Sequence, residues 1–285
     1  MTRVAIIGGG LAGTACACAL KNTGAQPVIY EASAELASGA SGNRLGLYNP
    51  RLAAEKTPES EYFISAFNRA LEAFECLSDV DWNPCGALHL ITDEKRETRY
   101  NKMVKNWGWS EDEMRIVSPQ ETSEIAGVQI DHEALYLSRS GYISPQKLCS
   151  ALAKDVEVHL DTKIVSLDDL EADAVIIASG MASQVFVPDL ELRAVRGQIT
   201  YAKATKQSEN LKAAICYGGY CAPALDGQHI VGSSFSAGWI TPISLSKMIM
   251  IIYKSLLLMF LHWRMGWKLK GRGLLYAPHL KITFR

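Results

Sequence analysis

The first strongly apolar run, at residues 4–7, is followed at once by glycines and then by residues 11–23, rich in Ala, Leu and small cysteines. A run this short and evenly apolar reads as a buried parallel strand. The longer stretch reads as a helix whose small side chains let it lie close on a sheet, with Gly24 ending it. Residues 27–30 predict a second strand, and 37–50 form a glycine-rich loop. Over residues 60–77, Tyr62, Phe63, Phe67, Leu71, Phe74 and Leu77 fall near helical spacing with charges between them, an amphipathic helix. A strand over 87–91, a charged helix over 93–106 and a helix over 144–152, opened by Ser144 and Pro145, follow. Further strands are predicted over 156–160, 164–167, 174–178, 196–201 and 229–231. The N-terminal order of strand, helix and strand predicts an α/β fold.

The glycines after the first strand carry the sharpest chemical signal. They read Gly8-x-Gly10-x-x-Gly13, and Glu31 stands at the end of the second strand. Gly8 permits a tight turn, Gly10 lets the backbone approach a pyrophosphate, and Gly13 lets helix and strand pack closely. The helix start offers N–H donors and positive potential to phosphates. Glu31, 18 residues past Gly13, is placed to accept hydrogen bonds from ribose hydroxyls. An acid at this position favours FAD or NAD over NADP. Leu11, Ala12 and Ala32 flank these residues and join them as candidate cofactor contacts.

Composition narrows the class. The 285 residues are 48% hydrophobic and 21% charged, as in a folded globular protein. A net charge of −1 gives no general signal for nucleic acid or anionic membranes, although a local basic patch would suffice. The seven cysteines are scattered and never spaced C-x-x-C, which fits a reducing cytoplasm better than a disulfide framework. The six histidines show no metal spacing, so no metal is expected. His89 and His159 read as packing residues in strands, and Cys16 and Cys18 as small packing residues in the first helix.

The choice between FAD and NAD turns on Gly39-Ala40-Ser41-Gly42-Asn43-Arg44-Leu45-Gly46-Leu47-Tyr48-Asn49-Pro50. Its small residues and hydroxyl suit a backbone running beside a flat ring. This loop resembles the flavin-side loop of the FAD-dependent oxidoreductase half of the bifunctional enzymes that mature wobble uridines of tRNA, within the D-amino-acid-oxidase-like flavoenzymes. Residues 140–145 (SGYISP), 192–198 (LRAVRGQ) and the pattern Gly219-Tyr220, Pro223, Asp226-Gly227, Val231-Gly232 agree with it. The likeness covers about residues 1–235. GASGN and VRGQ point to the tRNA subfamily, while GGGLAG and Ala178-Ser179-Gly180 are shared more widely.

The resemblance implies a Rossmann-type FAD domain from 1–50, 136–185 and 219–235. It also implies an interleaved α+β substrate domain from 51–135 and 186–218. It implies FAD contacts by Ser41, Gly42, Asn43, a backbone group near Ile164, Ser179 and Gly180. The implied reaction is oxidation of the carboxymethylaminomethyl group on a tRNA wobble uridine, leaving aminomethyl-uridine and glyoxylate. The implied partners are tRNA and a separately encoded methyltransferase, with no membrane. Arg196 is a candidate for gripping a substrate carboxylate, with Tyr48 and Tyr220 as candidate pocket residues. No acid–base residue is singled out, because the flavin carries such chemistry. The rival readings are an oxidase of free glycine, sarcosine or D-amino acids, and a truncated, non-catalytic remnant.

Charge breaks sharply after Phe235. All 30 acidic residues precede it, whereas residues 236–285 hold eight basic residues and no acid. Residues 243–263 have the length and apolarity of a membrane helix, but Lys247 and Lys254 inside it make insertion marginal. Back-translated and read one nucleotide earlier, residues 236–253 can become QRWVDNTDISEQDDNDNL, and 272–285 can become QGSAIRTTSKDYLP. Both strings resemble the family. The expectation is that residues 236–285 are an out-of-frame tail.

Overall fold

The computed structural model describes residues 1–237 and two short paired strands, Leu269–Lys270 and Leu274–Leu275. Residues 243–263, which raise the membrane question, lie outside the described residues.

Two sheets organise the described chain. The first holds β1 (Arg3–Ile7), β2 (Gln26–Tyr30), β8 (Glu157–His159) and β9 (Ala174–Ile177) in the order β8-β2-β1-β9. Every pairing in it is parallel. Helix α1 (Leu11–Lys21) joins β1 to β2 and buries Gly13, Thr14 and Ala17. Val4, Ile6, Ala17 and Ile29 form its core with Ala153. This is the α/β unit expected from the alternation of short apolar runs and a small-residue helix.

The second sheet has seven strands. It contains β4 (Ala87–Leu90), β5 (Met114–Val117), β6 (Ala134–Leu137), β10 (Val195–Lys203), β11 (Ala214–Cys216), β12 (Tyr220–Cys221) and β13 (Gln228–Ala237). Their order is β10-β13-β12-β11-β4-β6-β5, antiparallel except where β11 meets β4. Alternate residues serve opposite faces, as the strand pleat requires. Leu88, Leu90, Ile215 and Val231 pack with Ala126 of α4 (Pro119–Ala126) and with Ile130. Leu135 and Leu137 pack with Met103 and Trp107 of α3 (Glu94–Trp107). The segments at 219–235, grouped by resemblance with the dinucleotide domain, supply β12 and β13 to this second sheet.

A short antiparallel pair links the two regions: β3 (Gly46–Tyr48) with β7 (Gly141–Ile143). Helices α2 (Pro58–Cys76) and α5 (Pro145–Leu152) pack beside it, burying Phe67, Leu71, Phe74 and Leu148 against Ile143. The α2 start is held by a capping box in which Thr57 Oγ1 accepts from Ser60 N and Ser60 Oγ accepts from Thr57 N. Ser118 and Glu121 do the same for α4, and Ser144 caps α5.

Two predicted elements differ. The apolar residues 164–167 form no strand. The chain just before them bonds to the end of β2 instead, with Asp161 N donating to Ser33 O and Thr162 N to Glu31 O, and Leu167–Asp169 then makes a single 3-10 turn. The loop expected over 37–50 contains β3, because its partner β7 lies far along the chain and leaves no local periodic sign.

Candidate functional site

The candidate cofactor residues meet at the C-terminal ends of β1, β2 and β9. Gly8 follows β1 with φ of +111°, a conformation that side chains rarely adopt, and a Cβ there would come within 2.6 Å of Ala178 O. Gly10 takes the cap position of α1 and supplies no capping side chain. A Cβ on Gly10 would stand 3.1 Å from Ser41 Oγ, which accepts the Leu11 N–H at 3.1 Å. At Gly13 a Cβ would run into the carbonyl oxygen of Gly8. Gly8 and Gly13 therefore keep a turn and a helix–strand contact, as the motif predicts, and Gly10 lets the Ser41 hydroxyl come close to the helix start. With no acid in its first turn and only the Leu11 N–H tied to Ser41 Oγ, α1 presents the next N–H groups and positive potential to a phosphate.

Glu31 does more than the sequence suggested. Its Oε2 accepts the Gly9 N–H at 2.7 Å and its Oε1 accepts the Ser33 N–H at 2.9 Å. A carboxylate has about four acceptor sites, so capacity for ribose hydroxyls remains. The neighbouring loop closes on the same turn: Ala37 N donates to Gly9 O, and a Cβ on Gly42 would lie 2.7 Å from Ala37 O. Ser179 Cα lies 3.0 Å from the position of a Gly8 Cβ, and Gly180, with φ of +58°, opens the 3-10 turn Gly180–Val185. Leu11, Ala12 and Ala32 flank the glycine turn and the acid, and Asn43 follows Gly42. Ile164 lies two residues past Thr162, whose N–H is tied to Glu31 O. The structure thus brings most of the predicted cofactor residues around one turn, with Ile164 on the adjoining segment.

The candidate substrate residues are dispersed. The Tyr48 hydroxyl accepts from Trp82 Nε1 at 2.8 Å, and its ring packs against Phe67 and Phe74. Burial pushes its phenol far above the ordinary range, so it packs as a neutral group. Tyr220 is half-buried beside Leu47 and Cys85, its phenol pushed up to about 12 by burial. Arg196 pairs through its backbone with Ser236, and its side chain lies outside the described residues. Burial raises the thiols of Cys216 and Cys221 to about 12 and that of Cys85 to about 11, so none is a thiolate nucleophile at neutral pH. Sequence reasoning missed the ion pair between Arg44 and Asp226, which ties the glycine-rich loop to the turn before β13.

Among the described residues, no group of three or more His, Cys, Asp or Glu is placed to hold a metal ion. No helix there is long and apolar enough to cross a membrane.

A parallel sheet ending in a glycine turn, a helix start free of acids and a carboxylate braced against that turn defines a Rossmann-type domain, here joined to a mostly antiparallel sheet. The chain belongs to the FAD dependent oxidoreductase (DAO) family, whose profile matches residues 3–260. It is 31% identical over 257 residues to the tRNA 5-methylaminomethyl-2-thiouridine biosynthesis bifunctional protein MnmC of Chromohalobacter salexigens. That match covers 82% of this chain, its N-terminal part, and the chain spans only 36% of the relative. Among solved structures it resembles glycine oxidase from Bacillus cereus, with a TM-score of 0.68 at 18% identity over 90% of this chain and 77% of that one. L-alpha-glycerophosphate oxidase from Mycoplasma pneumoniae, solved with FAD bound, gives 0.67 at 18% identity over 90% and 79%. By family the chain is an FAD-dependent oxidoreductase, and the sequence relatives it matches are named for tRNA modification.

Proposed function

We propose that the protein oxidises the secondary amine of carboxymethylaminomethyl-uridine at the wobble position of tRNA, giving aminomethyl-uridine and glyoxylate in the cytoplasm. The observation that carries this reading is the match to the bifunctional tRNA-modification protein over the segment that also holds the FAD turn. Bound FAD would supply a two-electron acceptor for the hydride leaving the glycine-side carbon, and water would then hydrolyse the resulting imine.

This chain's residues bind and orient. Gly8, Gly10 and Gly13 keep the turn open for a pyrophosphate, α1 offers its N–H groups, and Glu31 holds both the turn and a ribose. Arg196 is the carboxylate grip that the sequence offers. A separately encoded methyltransferase would complete the modification.

The experiment is nucleoside mass spectrometry of carboxymethylaminomethyl-tRNA after incubation with the protein, beside the same assay on glycine and N-methylglycine. Conversion of the tRNA nucleoside supports the reading. Turnover of the free amino acids alone would replace it with a small-amine oxidase.

We also infer that the reading frame shifts after Phe235. Every acid precedes that residue, and the matched 82% of the chain ends near it, although the family profile runs on to residue 260. Strand β9 is an edge of its sheet among the described residues, and Val165 and Val185, on the segments either side of it, are 67% and 68% exposed. Resequencing the gene across the Phe235 codon tests this directly, and an unbroken frame would dismiss it.

A further inference from the structure

Helix α3 carries a row of like charges that its own stability does not call for. Lys95, Arg99 and Lys102 recur at i, i+4 and i+7 and so share one side of the helix, with Lys105 a turn further, and all four are exposed. No acid stands three or four residues from any of them, so each has another cation as its neighbour along the helix. Like charges at these spacings weaken a helix. None of the four has a carboxylate partner among the described residues, which include every acid in the chain. Arg96, by contrast, is held by Asp93 and by Tyr217 O.

The segment beside α3 adds charge and brings aromatic rings. Arg99 donates to Leu52 O, Trp107 Nε1 to Ala53 O and Asn106 Nδ2 to Ala54 O, so this segment lies along the helix. Arg51 and Lys56, at its two ends, are exposed, and Glu55 accepts from Asn106 Nδ2 at 2.8 Å. The Arg51 guanidinium lies 4.5 Å from the Phe63 ring centroid, and Tyr62 meets that ring edge-on with centroids 6.0 Å apart. By spacing Tyr62 falls with the apolar positions of α2, yet it is 71% exposed. An aromatic ring open to water beside a stacked guanidinium is a platform for an unpaired base. Helix α3 also packs on the sheet face that carries the glycine-rich loop. On β4, Ala87 packs with Leu47, and two residues on, His89 meets Tyr100 of α3.

We propose that this face docks an RNA, with Lys95, Arg99, Lys102 and Arg51 against its phosphate backbone and Tyr62 against an unpaired base. Residues 1–235 hold 21 basic and 30 acidic residues, so a polyanion is repelled by most of that chain and drawn to this row. An anionic membrane fits less well, because none of the large apolar residues of α3 is exposed and the helix has nothing to insert. That the RNA is the tRNA whose base is oxidised rests on the function proposed above. The docking itself does not.

The test is binding of the full 285-residue chain to a labelled anticodon stem-loop RNA, beside a fully paired RNA duplex, poly-glutamate and phosphatidylserine vesicles, at several salt concentrations. We expect the stem-loop to bind wild type. The triple variant Lys95→Gln, Arg99→Gln, Lys102→Gln should bind it at least about tenfold more weakly, with the slope of log affinity against log salt flattened by about 2. A control with the same change of net charge, Lys154→Gln, Lys203→Gln, Lys206→Gln, should stay within about twofold of wild type, as should the charge-keeping triple Lys95→Arg, Arg99→Lys, Lys102→Arg. Tyr62→Ala should weaken the stem-loop about tenfold, leave its salt slope alone and leave the paired duplex unaffected. Equal losses in the two glutamine triples, full stem-loop affinity in Tyr62→Ala, or tighter binding of vesicles or poly-glutamate than of RNA would overturn the proposal. Stem-loop binding that depends on the α3 row, in a protein that converts no modified nucleoside, would uphold this surface while removing the tRNA-oxidase reading. Nucleoside conversion undiminished in the α3 triple would do the reverse.

Discussion

Glu31 accepts the backbone N–H of Gly9 at 2.7 Å, so the acid expected to hold the ribose also braces the turn expected to hold the pyrophosphate. On that expectation both halves of the dinucleotide site depend on one carboxylate. Glu31→Gln replaces one acceptor oxygen with an amide donor, which would face either Gly9 N–H or Ser33 N–H. We expect a stability loss of about 1–3 kcal/mol and a clear fall in bound flavin. Urea unfolding and the flavin absorbance of purified protein report the two effects. Full flavin content in a destabilised mutant would limit Glu31 to bracing.

The glycine turn predicts a contrast between positions. Gly13→Ala drives a methyl group into the Gly8 carbonyl, whereas Gly39→Ala has no atom within 4 Å of the added carbon. The first should cost about 2 kcal/mol or more and remove flavin, and the second should stay within about 0.5 kcal/mol of wild type. Similar stability and flavin content for the two variants would contradict the packing described here.

Tyr48→Phe separates packing from substrate contact. The hydroxyl's one described bond is to Trp82 Nε1, so its removal leaves a part-buried donor unpaired and should cost about 1 kcal/mol. Flavin content and KM should not change. A raised KM with unchanged stability would return Tyr48 to the substrate pocket.

His89 makes stability depend on pH in a defined window. Its pKa is lowered from the usual 6.5 to about 4, so the unfolded state binds more protons between those values and stability falls as pH drops through them. The loss attributable to His89 is on the order of 3 kcal/mol by pH 4 and should be absent from His89→Gln. Unfolding midpoints for both proteins at pH 7, 5.5 and 4 measure it. Parallel falls in the two proteins would show that His89 contributes nothing.

How much was legible in the sequence follows from the range of each interaction. The β1–α1–β2 unit was legible because its apolar runs, small-residue helix and glycines are all local. Strand β3 was not, since it exists only through pairing with β7 at residues 141–143. Strands β11 and β12, of three and two residues, are too short to carry a period. The apolar residues 164–167 looked like a strand, yet the preceding backbone bonds to Glu31 and Ser33 carry the chain out of the ladder. Tyr48 looked like pocket lining because nothing local announces Trp82, 34 residues away.

The central claim is that this site holds FAD and passes it electrons from the modified tRNA base. The most direct measurement is anaerobic mixing of flavin-loaded, frame-restored protein with tRNA bearing carboxymethylaminomethyl-uridine, followed at the visible flavin band. The account predicts full bleaching with that tRNA and none with unmodified tRNA. An unbleached flavin with modified tRNA, or bleaching by N-methylglycine alone, would contradict it.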